Sequence, residues 1–342
     1  MKFLLGVLFW FTRKLSKLNL DRTSIVIYDY TFGFTSHSKA LYYFYKDTFP
    51  DRDILFVTNK PNVSLYSDII IPRNSLKGIM ALIFTKNFAI TVGMPRYINL
   101  DNKNVIQFWH GTPIKSLGIY DNSLSEEEKK IRCQEFNNYS KVIVPNRLLE
   151  KSLIESFLIS DKKKVIPISN PYLYEIYSSR LKHECHFNDS LNILYAPTFR
   201  NYENSRKWDL GENEEFAEFV SVEKLNIDIK YHPSDIKFDK NGIDLIDSIS
   251  ISDLLITDYS SVAFDAYDIG LNVVLFWPDL DTYENERGLC RDFELFYNFP
   301  IFYNVKDLID YISNDVNDSF SKNSNIEECY NKMKNIVSDI YD

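Results

Sequence analysis

Short apolar runs rich in β-branched and aromatic residues recur along this chain, and they do not alternate strictly between apolar and polar. The first set is SIVIYDY (24–30), DILFVTN (53–59), NFAITVG (87–93), NVIQFWH (104–110) and KVIVPN (141–146). A strand with one wet face alternates with period two, whereas runs apolar throughout are strands covered on both faces, as in parallel sheets. Segments with helical spacing, such as 38–48 and 123–138, lie between them. The pattern then restarts with NILYAPTF (192–199), IDIKYHP (227–233), DLLITDY (253–259) and NVVLFWP (272–278), with helices expected near 213–224, 260–269 and 305–313. The expectation is an α/β protein of two Rossmann-like domains, each with a parallel sheet, and a cleft between them. The domains are placed at 23–180 and 190–342. The polar stretch SSRLKHECHFNDSLN between the two sets is read as the crossover, and the last helix is a candidate to pack back on the first domain.

At 342 residues the chain has length for two such domains. Its 45% hydrophobic and 25% charged residues are globular proportions. A formal charge of −9 argues against a nucleic-acid partner, which usually meets a basic face. The four cysteines, Cys133, Cys185, Cys290 and Cys329, show no CxxC spacing and read as free thiols. His183 and His186 flank Cys185, but no second ligand cluster accompanies them, so zinc is not expected there.

Residues 1–22 stand apart. The apolar block Phe3 to Phe11 is followed by Arg13, Lys14, Lys17 and Arg22. It falls well short of the roughly 20 residues that span a bilayer, and no small-residue cleavage site follows it. Two readings fit: an amphipathic helix on an anionic membrane surface, or a first helix packed on its own domain.

In open α/β sheets ligands sit beyond the carboxyl ends of the strands, so those ends carry the functional question. NVIQFW delivers His110, Gly111, Thr112, Pro113 and Lys115. NILYA delivers Pro197, Thr198, Phe199 and Arg200. IDIKY delivers His232, Pro233 and Ser234. DLLI delivers Thr257, Asp258, Tyr259, Ser260 and Ser261. A helix opening at Ser260 or Ser261 would turn free N–H groups and hydroxyls toward an anion. Ser-Ser before a helix is also an ordinary N-cap, and a histidine at a strand end is often structural. Their concentration at one predicted edge is what points to a site. No cofactor is required by this set, although Asp279 and Asp281 in PDLDTY leave room for a divalent cation. Trp109, Phe199 and Tyr259 are expected to pack rather than to stack on a base.

WHGTP with a following lysine, ILYAPTFR, a strand ending in HP, ITDYSSVAFD and DLDTYENERG occur here in one order across roughly residues 85 to 290. That order resembles the CDP-glycerol glycerophosphotransferases, the teichoic acid primases and polymerases. The resemblance implies a GT-B-like fold with a nucleotide-binding cleft. It implies a peripheral enzyme on the cytoplasmic face of the membrane, acting on lipid-linked saccharide or polyol-phosphate polymer acceptors in teichoic acid-like or capsular polymer synthesis. It also implies phosphoryl transfer: an acceptor hydroxyl attacks the β-phosphorus of a CDP-alcohol and CMP leaves. The family's two histidines fall on His110, expected as general base, and His232, expected at the leaving phosphate, with the reverse assignment open. Histidine suits both tasks because its pKa lies near working pH.

Thr257, Ser260 and Ser261, with Thr198, Arg200, Asp258 and Arg287, are then expected on the donor side, and Gly111, Thr112 and Lys115 on the acceptor side. Arg200 would add a bidentate phosphate contact, while Asp258 reads better as a helix cap. The departures are SNPYLYE (169–175), where the family commonly has Gly-x-Pro-Arg-Asn-Asp, and the absence of the long extra domains of processive polymerases. The donor is CDP-glycerol or CDP-ribitol, since nothing here reads polyol length. A GT-B glycosyltransferase using a CMP-sugar shares the HP and Ser-Ser features and is the alternative; WHGTP and APTFR speak against it.

Overall fold

The computed structural model describes residues 10–31, 33–60, 68–109, 111–112, 117–121, 124–183, 190–200, 208–231, 235, 245–287, 289, 297–314, 316 and 325–341. The chain divides into two compact units. The first comprises Met1–His110, Leu117–Tyr172 and Glu327–Asp342, and the second Gly111–Ser116 and Leu173–Ile326.

The first unit is built on a seven-stranded parallel sheet in the order β3-β2-β1-β4-β5-β6-β7. Its strands are β1 (Asp21–Asp29), β2 (Ile54–Thr58), β3 (Ile70–Pro72), β4 (Thr85–Ile90), β5 (Asn104–Phe108), β6 (Lys141–Val144) and β7 (Val165–Pro167). Successive side chains go to opposite faces, and both faces are covered. Val26, Tyr28, Phe88, Ile90, Val105 and Val142 enter one core with Leu82, Phe136 and Leu149. Ile25, Ile27, Ala89, Ile106 and Ile143 enter the other with Leu41, Phe44 and Tyr45. Two dry faces are the reason these runs lack alternation. The C-terminal helix Asn325–Tyr341 supplies Met333, Val337 and Tyr341 to the second of these cores. The Tyr341 hydroxyl donates to the Phe88 carbonyl at 2.7 Å, so its one polar atom is satisfied inside.

The second unit holds a five-stranded parallel sheet in the order β12-β11-β10-β8-β9. The strands are β8 (Asn192–Ala196), β9 (Asn226–Ile229), β10 (Leu254–Thr257), β11 (Asn272–Phe276) and β12 (Ile301–Phe302). Ile193, Tyr195, Leu254, Ile256, Val274 and Phe276 form one core with Phe216, Leu308 and Ile312. The chain runs from β8 outward to β9, then returns past β8 to β10. The topological switch point of this sheet is therefore the β8–β10 pair, where Ala196 lies opposite Thr257. In the first sheet the corresponding point is the β1–β4 pair.

The crossover expected at 178–192 is corrected in part. Helix Pro171–His183 runs through its first half. Leu173, Ile176, Tyr177 and Arg180 are all buried along it, a helical spacing hidden by the charge of the last. Arg180 directs Nη1 at the carbonyls of Ile249, Ser250 and Ser252 at the end of helix Leu245–Ile251. A cation suits those carbonyls, which have no intrahelical partner. The stretch around Cys185 and His186, with the His183 side chain, lies outside the described residues.

The described N-terminal residues start a short helix over 10–15. Ser16 is fully buried and its hydroxyl accepts the Asn99 N–H at 2.9 Å, while Lys17 pairs with Asp101 at the surface. Trp10, Phe11, Leu18 and Leu20 remain exposed. Among the described residues no helix is long and apolar enough to cross a membrane.

Candidate active site

The switch point of the second sheet gathers most of the expected donor-side residues. Asp258, one residue past β10, is buried and its Oδ1 accepts the Thr198 N–H at 2.8 Å and the Thr198 hydroxyl at 2.5 Å. The same oxygen accepts the Tyr259 N–H at 2.7 Å. Asp258 thus ties the end of β8 to the end of β10, rather than capping the following helix by a side-chain bond. The Thr257 hydroxyl is wholly buried and donates to the Ala196 carbonyl at 2.6 Å. The hydroxyl protons of Thr198 and Thr257 are therefore committed within the unit, and neither is turned toward a ligand.

Arg200 is committed as well. Its Nε and Nη2 form a fork on Asp279, at 2.7 Å to Oδ2 and 3.0 Å to Oδ1. Its Nη1 lies 2.7 Å from Asp258 Oδ2 and 3.0 Å from the Thr198 carbonyl. This is the bidentate geometry expected of an arginine, made here with a carboxylate in place of a phosphate. Asp279 holds a guanidinium where the sequence left room for a cation.

Ser260 and Ser261 differ from these groups in being partly exposed. The helix that follows them, Val262–Asp268, is only seven residues long, and Ser260 Oγ accepts the Val262 N–H at 3.4 Å. Ser261 faces Gly111. A Cβ placed on Gly111 would stand 2.6 Å from Ser261 Oγ and 2.8 Å from Ser261 Cβ. The φ of Gly111 is +109°, a region that other residues avoid. Glycine therefore serves twice here, for the turn and for the approach. Thr112 beside it is buried. His110, Lys115, His232 and the side chain of Arg287 lie outside the described residues, Arg287 being the last residue of helix Leu280–Arg287.

Sequence reasoning missed four groups. Asp265 lies one helical turn beyond Ser261, and its Oδ2 is 4.0 Å from the same Gly111 Cβ position. Burial first, and then the neighbouring Asp268 charge, push its carboxyl up to about 8. The i, i+4 spacing of Ser261 and Asp265 in SSVAFD was the available signal. Asp279 was seen only as a possible metal ligand. At the switch point of the first sheet, Asp29 Oδ2 accepts the Thr91 hydroxyl at 2.7 Å and its Oδ1 accepts the Thr31 N–H at 2.9 Å. Each switch point is thus closed by an aspartate that takes a threonine hydroxyl.

Comparison with known proteins identifies relatives of the chain. The teichoic acid glycerol-phosphate primase of Bacillus subtilis strain 168 is 27% identical over 266 residues, 72% of this chain and 67% of the primase. The teichoic acid poly(glycerol phosphate) polymerase of the same strain is 27% identical over 305 residues, 76% of this chain but only 39% of that longer protein. A teichoic acid poly(ribitol-phosphate) polymerase of Bacillus spizizenii is 25% identical over 224 residues, 58% of this chain and 36% of the polymerase. Among solved structures, the wall teichoic acid polymerase TagF superposes with a TM-score of 0.70 at 20% identity, covering 99% of this chain and 90% of that one. The fold is thus the GT-B-like fold expected. The family model for CDP-glycerol:poly(glycerophosphate) glycerophosphotransferases matches residues 10–338, and the chain belongs to that family.

Proposed function

We propose that this enzyme transfers a polyol phosphate, glycerol phosphate foremost, from a CDP-activated donor to a hydroxyl of a lipid-linked or polymer acceptor, releasing CMP. The observation that carries the reading is the approach of Gly111 to Ser261. It sets the turn at Gly111 against Ser261, and on this reading His110, the residue before that turn, serves the same phosphate as the serine hydroxyls. The acceptor oxygen attacks the β-phosphorus, its proton passes to His110, and the bond to the CMP oxygen breaks. His232 assists the departing phosphate. Ser260 and Ser261 donate to the diphosphate, Arg287 is assigned to the same donor, and Gly111, Thr112 and Lys115 form the acceptor side. Such catalysis is chiefly positioning and charge stabilisation.

The test is CMP release from CDP-glycerol, CDP-ribitol and CMP-sialic acid in the presence of lipid-linked acceptor. CMP from a CDP-polyol is the expected result, with the KM for that donor raised about tenfold in a Ser260→Ala/Ser261→Ala variant, the scale of a lost charge-assisted hydrogen bond. Turnover of CMP-sialic acid alone would overturn the reading.

The protein is further proposed to act at the inner face of the cytoplasmic membrane. Exposed Trp10 and Phe11 lie beside Arg13 and Lys14, the pairing of apolar and basic groups that suits an anionic interface. Co-sedimentation with phosphatidylglycerol vesicles is expected, falling at least threefold for Trp10→Ala/Phe11→Ala. Equal sedimentation of variant and wild type would remove these residues from the contact.

A further inference from the structure

Three segments leave the carboxyl edge of the second sheet next to one another: 197–200 after β8, 258–261 after β10 and 277–283 after β11. One buried group of charges joins all three. Arg200 donates through Nε and Nη2 to Asp279 and through Nη1 to the Thr198 carbonyl, and Nη1 also pairs with Asp258. The three charged side chains are almost wholly enclosed, Asp279 completely.

Each carboxylate is also supplied with other donors. Asp258 has the Thr198 amide and hydroxyl and the Tyr259 amide. Asp279 has the Tyr259 hydroxyl at 3.0 Å. Burial, with the two aspartates beside it, raises the Tyr259 hydroxyl far above its usual value, so it stays a donor. The Tyr259 ring stacks on Tyr283, nearly parallel at 3.6 Å, and on Trp277 at 5.4 Å. Trp277 in turn donates its Nε1–H to the Asp258 carbonyl at 3.1 Å. Tyr259 is the residue directly before Ser260.

Burying three charges is costly, and a well-packed apolar set often gives equal or greater stability. Stability is therefore a poor explanation for this cluster, whereas a fixed geometry is a good one. We infer that Asp279, through Arg200 and Tyr259, is a positioning residue for the donor site, and that Arg200 acts through this clamp and not by touching the donor phosphates. This rests on the reading that Ser260 and Ser261 face the donor. An arginine aimed at a ligand would leave its fork open. Here the fork is closed on Asp279, and the two serines emerge directly from the residue that the clamp immobilises.

The experiment is a double-mutant cycle on the full chain, with CDP-glycerol affinity measured by calorimetry and folding checked by circular dichroism. Arg200→Gln and Asp279→Asn are each expected to weaken binding about tenfold, and the double variant to be no more than about threefold worse than the poorer single, because both break one unit. Tyr259→Phe deletes one hydroxyl from the same clamp and keeps the aromatic stack, so it is expected to fold and to weaken binding about threefold. A direct phosphate contact predicts the reverse pattern: Asp279→Asn would release the guanidinium and tighten binding, and the two effects would be independent. Either unchanged or tighter binding by Asp279→Asn or wild-type affinity in Tyr259→Phe would overturn the clamp while leaving the donor reading intact. A wild-type protein that bound no CDP-glycerol would remove both.

Discussion

Gly111→Ala is expected to slow CMP release from CDP-glycerol at least about a hundredfold, approaching the loss expected for His110→Ala, while leaving the chain folded. The argument is local and steric. At φ +109° an alanine sits where its Cβ strains the backbone, at a cost on the order of 1–3 kcal/mol. The new Cβ would also stand 2.6 Å from Ser261 Oγ and 2.8 Å from Ser261 Cβ. The hydroxyl can rotate away from a methyl group, but the Cβ moves only with its backbone. The turn and the serine segment must therefore separate by several tenths of an ångström or more. A shift of about 1 Å between reacting groups costs on the order of a hundredfold in rate.

His110→Ala removes the proposed base outright, and general-base groups contribute about 10²–10⁴-fold. The two variants differ in how they fail. The alanine at 110 should leave donor affinity close to wild type, whereas Gly111→Ala should weaken it, because Ser261 is displaced. Measured kcat and donor affinity for both variants, with the thermal midpoint alongside, settle the matter. Near-wild-type kcat in His110→Ala would end the base assignment, and wild-type behaviour of Gly111→Ala would mean the contact with Ser261 has no part in the reaction.

The interior strands were legible because parallel strands with two dry faces leave unbroken apolar runs, as in NVIQF and NILYA. The short strands Ile70–Pro72, Val165–Pro167 and Ile301–Phe302 were not. They are two or three residues long, two of them end on proline, and nothing in so few residues separates an edge strand from a loop. Helix Pro171–His183 was hidden for another reason: Arg180 is buried but reads as a surface charge. The site was legible as a set of strand ends, since sheet topology brings those ends together whatever the residues are. Their roles were not. Thr198, Thr257 and Arg200 are residue types that bind phosphate, but their partners Asp258, Asp279 and the Ala196 carbonyl come from other strand ends. Such pairings become visible only once the order β11-β10-β8 is known.

Asp268→Asn is expected to stabilise the protein at pH 8.5 relative to wild type by on the order of 2–4 kcal/mol, and to change little only near pH 3, below the unfolded value. Burial raises the Asp268 carboxyl to about 7, against the pull of the Tyr297 hydroxyl that donates to it at 3.2 Å. Asp265 on the same helix is pushed up to about 8 by burial and by Asp268. Unfolded, both carboxyls would titrate near 3.8. Between that value and the folded one, the native state binds more protons than the unfolded chain. Stability therefore falls as pH rises through this window, and the full penalty is present above about 8. An amide at 268 cannot ionise, keeps a carbonyl oxygen for Tyr297, and relieves the repulsion that Asp265 meets when it deprotonates. Urea unfolding of wild type and variant from pH 3 to pH 8.5 should give two curves that meet at the acid end and diverge as the pH rises above about 4. Parallel curves across that range would show that Asp268 is ionised alike in the folded and unfolded chain, and that the buried pair is not what limits alkaline stability.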